Sequence, residues 1–163
     1  MRIIIFYFLI FLTTSKFGQS DVECYVNKSF LIIQSTRSYE TALTTAKQAS
    51  SELGIELNLR DLIKVDEANI GLSLPADTCI KYLPTSEDQE STCYIARGRY
   101  DDGIYVSVEF TNPYQGFTKG NYIVMVGSGP KNDPELTKNL AQVRTKYSDA
   151  YIKTSEVYMC CIH

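Results

Sequence analysis

The chain contains two stretches in which a short apolar run is followed by apolar residues at helical spacing. In the first stretch, residues 30–35 (FLIIQS) are rich in strand-forming side chains, which predicts a strand. Apolar residues then recur at spacings of four, three and four, which places them on one side of a helix. They are Ala42, Ala46, Ala49 and Leu53. Ser38 is a typical N-cap and Gly54 a typical helix end, and residues 55–59 (IELNL) alternate as a half-buried strand does.

The second stretch begins near residue 121 and follows the same plan. Residues 122–127 (YIVMVG) predict a strand, and Asp133 with Pro134 marks the start of a helix. Its apolar stripe again has spacings of four, three and four: Leu136, Leu140, Val143 and Tyr147. Residues 150–154 (AYIKT) predict the last strand. The pattern indicates a duplicated strand–helix–strand unit with both helices on one sheet face. Two unrelated units of this common kind are the alternative.

Residues 60–120 form a long insertion between the two units. Leu74-Pro75, Leu83-Pro84 and the polar run of residues 85–92 are typical of loops. Residues 94–100 and 104–110 flank Asp101-Asp102-Gly103, and Asp-Gly supplies the positive φ angles of a tight turn. This pattern predicts a β-hairpin that extends or covers the sheet. The second hairpin strand alternates apolar and polar residues, so we expect one buried and one solvated face.

The first 20 residues have the features of a secretory signal. Arg2 precedes the apolar residues 3–12, which as a helix would span only about 15 Å, roughly half a bilayer core. A charged start, a short apolar middle and small residues at the end favour cleavage after Ser20, with an earlier cleavage near Ser15 as the second choice. A buried N-terminal strand or helix is the structural alternative. Residues 21–163 would then form a single domain in the periplasm or outside the cell.

Charge narrows the class of partner. The chain has 16 basic and 19 acidic residues, and removal of residues 1–20 takes away Arg2 and Lys16. The 14 basic residues that remain give a net charge of −5, which argues against binding to nucleic acids or anionic membranes. No later segment has the length and apolar character of a transmembrane helix.

The chain has five cysteines and one histidine, His163, its last residue. Disulfides are the default interpretation of cysteines in an exported protein, whereas the spacing lacks the pattern of a metal site. Cys79 and Cys93 are close in sequence, which predicts a local link. Cys24 with Cys160 or Cys161 would tie the two ends of the mature chain, and one thiol is left over. We expect neither a metal nor another cofactor.

The two units resemble the SPOR (sporulation-related repeat) family of bacterial envelope domains. Residues 32–36 (IIQST) followed by 39–42 (YETA) match the first repeat, with Gln34 and Thr36 where the family often has glycine and phenylalanine. Residues 124–129 (VMVGSG) match the second repeat, again without the phenylalanine. The resemblance covers residues 29–59 and 121–155, under half of the chain, and the insertion departs from the compact family pattern.

The resemblance implies an α+β fold: a ferredoxin-like βαββαβ sandwich, here with an inserted β-hairpin region. In that fold the first and last strands are antiparallel neighbours, which places Cys24 beside Cys160. The resemblance also implies that the helix-free face of the sheet binds the glycan strands of peptidoglycan. If Leu31, Ile33 and Val126 point to the helices, alternation sends five other residues to the helix-free face. These predicted glycan-binding residues are Phe30, Ile32, Gln34, Ile123 and Met125. Burial of this face beneath the insertion is the alternative.

No catalytic set stands out, since a Ser–His or Cys–His mechanism would depend on the terminal His163. The sequence therefore favours a non-catalytic binding module. The alternative to glycan is an envelope protein that binds the insertion, where tyrosines and arginines are interleaved. The residues proposed for that interaction surface are Tyr94, Arg97, Arg99 and Tyr105. Exposed side chains in the insertion over a covered sheet face would favour the protein partner, whereas an open sheet face would favour glycan.

Overall fold

The structure is a computed structural model that describes residues 24–66, 69–82 and 93–160. The elements in chain order are β1 (Tyr25–Thr36), α1 (Tyr39–Leu53), β2 (Ile63–Lys64), β3 (Leu72–Ser73), α2 (Ala76–Tyr82), β4 (Gly103–Phe110), β5 (Tyr122–Pro130), α3 (Pro134–Val143) and β6 (Tyr151–Tyr158). The predicted secretory signal, Leu83-Pro84, residues 85–92, Cys161 and His163 lie outside the described residues. Among the described helices, none has enough length and apolar character to cross a membrane.

The architecture is α+β, with a four-stranded sheet of order β4-β5-β1-β6 and a small sheet made of β2 and β3. All neighbouring strands of the larger sheet are antiparallel. The central strands β1 and β5 belong to the two predicted repeats, and β6 pairs with β1 along its whole length without a register shift. Residues 60–102, with β2, β3 and α2, lie between α1 and β4 in the chain.

The two helices that the sequence predicts, α1 and α3, begin at the expected residues. The Ser38 hydroxyl accepts a bond from the Thr41 N–H at 3.2 Å, and Gly54 ends α1 with φ 65°. Asp133 caps α3 in the same way, with Pro134 in its first turn. The predicted stripes face the sheet: Ala42, Ala46 and Ala49 are fully buried. Leu31 and Val126 pack against Leu136 and Val143, which confirms that these strand residues point to the helices.

Residues 55–59, predicted as a strand of the first repeat, form only one bridge, in which Leu57 pairs in parallel with Val106 of β4. The Val106 N–H donates to the Glu56 carbonyl at 2.7 Å, and the Asn58 N–H donates to the Val106 carbonyl at 2.9 Å. The chain then turns away, because Arg60 and Asp61 both have left-handed backbones, with φ of 60° and 56°. Strand β4 occupies the edge position next to β5 instead.

The predicted hairpin of residues 94–100 and 104–110 is wrong in its first half. Residues 94–100 form turns and irregular chain, and β4 pairs with β5. Gly98 has φ 88°, and a Cβ there would lie 3.0 Å from the Phe30 ring, so the glycine lets this segment lie directly on the sheet. The segment therefore covers the helix-free face. The predicted solvated face of β4 is also buried, since Ser107 and Glu109 are both 0% exposed.

Two disulfides join the pairs that the sequence predicts. Cys24 is linked to Cys160 across 136 residues, and this bond ties the start of β1 to the chain that leaves β6. Cys79, in α2, is linked to Cys93 across 14 residues. The first link lies beside the β1–β6 pair, where the Met159 N–H also donates to the Cys24 carbonyl at 2.7 Å.

Candidate functional site

The sheet face predicted to bind glycan is part of the protein core. Phe30, Ile32 and Met125 are 0% exposed and Ile123 is 1% exposed, while Gln34 is half-buried. The first four pack against the rings of Tyr114 and Phe117 from residues 111–120, and the segment around Gly98 covers Phe30. These five residues therefore form no accessible binding surface, which corrects the prediction. The physical reason is that the insertion covers the apolar face.

The second predicted surface is also mostly interior. Arg97 is 0% exposed and Arg99 is 8% exposed, while Tyr94 and Tyr105 are half-buried. The interleaved arginines and tyrosines of the insertion thus do not form an exposed patch. Within residues 93–110, Tyr100 presents a largely exposed ring, at 70%.

Arg97 donates hydrogen bonds to backbone carbonyls at a register shift in the sheet. The pairing of β4 with β5 shifts register between Ile104 and Ser107, which interrupts the ladder of backbone hydrogen bonds. The Arg97 guanidinium donates to the carbonyls of Gly103 and Tyr105, each at 2.9 Å, and to the hydroxyls of Ser107 and Ser128. It also stacks 3.5 Å from the centroid of the Tyr105 ring. Its burial is thus compensated by bonds to groups that the bulge leaves without partners.

A second buried group joins the insertion to β4. The Glu109 carboxylate, 0% exposed, accepts bonds from Arg60 at 2.9 Å, Tyr94 at 2.5 Å and Tyr114 at 3.3 Å, all on Oε2. Its Oε1 has no hydrogen-bond partner among the described residues. Arg60 also pairs with Asp101 at 2.7 Å and donates to the Ile95 carbonyl. This cluster therefore holds three separate loops against the sheet.

The electrostatics of the cluster keep its donors protonated. Burial, and then the charge of Glu109, raise the pKa of Tyr94 and of Tyr114 well above the ordinary phenol value, so both phenols stay neutral and donate to the carboxylate. Burial works to lower the pKa of Arg60, but the charges of Glu109 and Asp101 raise it above its ordinary value. The enclosed Glu109 is thus a structural anion that Arg60 neutralises.

Beside this cluster lies a small cavity of about 210 Å³. Arg60, Asp101 and the exposed Tyr100 form its polar side, and three aliphatic side chains complete the lining: Leu62, Leu74 and Ile95. Arg60 has a left-handed backbone, with φ of 60°, and its guanidinium pairs with both Glu109 and Asp101. Non-glycine residues in this conformation are uncommon and persist where the surrounding structure fixes them.

Three exposed tyrosines lie at the disulfide end of the sheet, two of them beside Arg99. The rings of Tyr25 and Tyr158 are 5.3 Å apart, and the Arg99 guanidinium is 5.1 Å from the Tyr100 ring and 5.4 Å from that of Tyr158. The exposed fractions are 47% for Tyr25, 40% for Tyr158 and 70% for Tyr100. The position of Arg99 is fixed by a hydrogen bond that it donates to the Cys160 carbonyl. We call Tyr25, Tyr100 and Tyr158 the tyrosine cluster.

The tyrosine cluster adjoins an open sheet edge. Within the part of the chain that the structure describes, β6 pairs with β1 alone. The bond from the Met159 N–H to the Cys24 carbonyl fixes the alternation of the antiparallel ladder, so every second residue of β6 bonds to β1. The backbone groups of the others point away from β1. These outward residues are Ile152, Thr154, Glu156 and Tyr158. The opposite edge, β4, is partly covered by the bridge at Leu57.

No protein-family model, curated protein or solved structure matches the chain. Within residues 24–66, 69–82 and 93–160, no three His, Cys, Asp or Glu side chains form a group that could hold a metal ion.

The structure shows two features that the sequence did not predict, the buried Arg60–Glu109 pair and the open edge at β6. Arg60 and Glu109 lie 49 positions apart in the sequence. Arg60 lies in a turn with a left-handed backbone and Glu109 lies in the buried strand β4, and the fold brings the two together. The open edge was missed too, because alternation along a strand indicates which face is buried but not whether a neighbouring strand is present. The run of residues 151–158, with no proline or glycine, is the only local sign of a long regular edge.

Proposed function

We propose that this protein is a non-catalytic extracytoplasmic binding module that binds an extended segment of a partner protein along β6. The observation that carries the proposal is the open edge itself: eight residues pair with β1 in unbroken register and leave four sets of backbone donors and acceptors facing outward. A peptide strand added to such an edge gains affinity from backbone hydrogen bonds and specificity from alternate side chains.

The tyrosine cluster supplies an anchor at one end of this edge. Tyrosine offers a large apolar ring with little loss of conformational entropy on binding, and it is enriched at protein interfaces. Arg99 and the Cys24–Cys160 disulfide hold the cluster in place before any partner arrives. Such preorganisation lowers the entropic cost of binding. The sheet face that the sequence predicts to bind glycan is buried, which favours a protein partner over glycan.

The extracytoplasmic location is supported by the two disulfides, which persist in oxidising compartments. We further propose that the fold is a ferredoxin-like βαββαβ arrangement in which β4 serves as the second strand. The strand order supports this. If β4 and β5 are counted as the second and third strands of the fold, β1 lies between the third strand, β5, and the last strand, β6. On this basis a distant relation to SPOR domains remains part of the proposal, with residues 55–102 as the insertion.

Glycan binding at another surface is the second candidate. The observation in its favour is the cavity of about 210 Å³ beside Tyr100, where an exposed ring adjoins the Arg60 guanidinium and the Asp101 carboxylate. Aromatic rings beside planar polar groups suit sugar rings and their hydroxyls. Loss of binding to isolated cell-wall sacculi in Tyr100→Ala, with sacculus binding intact in a β6 variant, would favour this candidate over a protein segment.

Replacing Thr154 with proline is expected to abolish the binding of extended peptides without unfolding the protein. The Thr154 N–H points outward, so proline removes a donor that a partner needs and keeps the backbone bonds to β1. It also removes the Thr154 hydroxyl, which lies 3.3 Å from that of Ser29. The probes are peptides long enough to cover β6, selected on the wild-type protein from a random displayed library. We expect binding in the micromolar range and a loss of at least about tenfold, measured by calorimetry.

Thr154→Ala is the matched control, because it removes the same side chain but keeps the N–H. It should bind the selected peptides as the wild type does, and both variants should retain the wild-type circular dichroism. Failure to select any peptide, or equal binding by the proline and alanine variants, would contradict the proposal.

A further inference from the structure

Glu156 lies in the outward half of the open edge with its carboxylate exposed. It takes part in no ion pair among the residues that the structure describes. Lys153, the nearest cation along the strand, belongs to the other sheet face, where its ammonium donates to the Gly116 carbonyl and lies 4.3 Å from the centre of the Phe117 ring. The negative charge of Glu156 is thus available to a strand that pairs with β6.

Tyr158 lies two residues further along and on the same side of the sheet, with its ring against Tyr25. A side chain opposite Tyr158 would contact the tyrosine cluster. Arg99, 5.4 Å from the Tyr158 ring, already places a positive charge there, so a second cation at this position would be repelled. The position opposite Tyr158 therefore suits an apolar or aromatic residue, whereas the position opposite Glu156 suits a cation.

From these two positions we infer that the partner segment carries an apolar residue followed, two positions later, by lysine or arginine. The order follows from antiparallel pairing, which all strands of this sheet use and which is slightly more stable than parallel pairing. In that orientation the residue opposite Tyr158 precedes the residue opposite Glu156. Opposite charges that face each other across an antiparallel pair attract, and like charges repel. This inference rests on the proposed function and adds the chemistry of the segment.

The test uses a synthetic peptide with the apolar–x–lysine order and three altered versions of it. One version has glutamate in place of lysine, one has serine in place of the apolar residue, and one has the two positions exchanged. We expect each change to weaken binding to the wild-type protein by about two- to fivefold. Glu156→Lys should weaken binding of the original peptide and strengthen binding of the glutamate version, which reverses the charge preference.

Glu56→Lys is the control, because it changes the net charge equally at an exposed residue beside β4, the opposite edge of the sheet. It should leave the order of the four affinities unchanged. If Glu156→Lys leaves the charge preference unchanged while Thr154→Pro still abolishes binding, the inferred segment is wrong and the edge site stands. If Thr154→Pro has no effect, the proposed function fails.

Discussion

Replacing both Cys24 and Cys160 with serine is expected to lower the free energy of unfolding by about 5 kcal/mol, because the disulfide closes a very long loop. The two cysteines are 136 residues apart, and in the chain-entropy model a loop of this length restricts the unfolded chain strongly. Removal of the Cys79–Cys93 link, which spans 14 residues, should cost only about 3 kcal/mol. Urea denaturation of the two double-serine variants measures both values.

The difference in stability between the two variants separates the effect of loop length from the effect of serine substitution. Both lose one disulfide and gain two hydroxyl groups, so a general effect of serine substitution would be similar in each. A Cys24/Cys160 variant that is no less stable than the Cys79/Cys93 variant would contradict the role given to the long link.

Replacing Arg97 with alanine is expected to destabilise the protein by about 2–6 kcal/mol, because each of two buried carbonyls left without its donor costs about 1–3 kcal/mol. The guanidinium is 0% exposed and donates to the carbonyls of Gly103 and Tyr105 where the β4–β5 ladder is interrupted. Without it, these buried acceptors lose their partner. Arg97→Lys should recover only part of the stability, because a single ammonium group lacks the planar fork of donors.

The control for Arg97 is Lys138→Ala, which removes an exposed cation from α3 and should change stability by less than about 0.5 kcal/mol. Thermal and urea unfolding of the three variants would measure the differences. An Arg97→Ala protein that unfolds within about 0.5 kcal/mol of the wild type would contradict the structural role of the buried guanidinium.

The local features of the fold were predictable because their causes are local. Ser38 and Gly54 act within one helical turn of the residues they cap, and the stripe of Ala42, Ala46 and Ala49 follows directly from helical spacing. The pairing of Cys24 with Cys160 required more, namely that the first and last strands lie side by side. That relation came from the resemblance to a family with this strand order.

The candidate site was not predictable for the opposite reason. Statistics of residue types place arginine and glutamate at the surface, yet Arg97 and Glu109 are fully buried because residues far apart in sequence supply their partners. The pattern of β1 and β5 gave their two faces correctly but could not show that residues 93–102 and 111–120 cover one of them. Contacts of this range depend on the whole fold.

The central claim is that β6 presents free backbone groups to a partner strand, and amide hydrogen exchange measured by NMR tests it most directly. In the free protein, the outward amides should exchange fast and the inward amides slowly, because only the inward amides bond to β1. The outward set is Ile152, Thr154, Glu156 and Tyr158, and the inward set is Lys153, Ser155 and Val157. A saturating amount of a peptide selected on the wild-type protein should slow exchange at the outward amides alone. Outward amides that are already protected in the free protein, or that stay unprotected with peptide bound, would contradict the account.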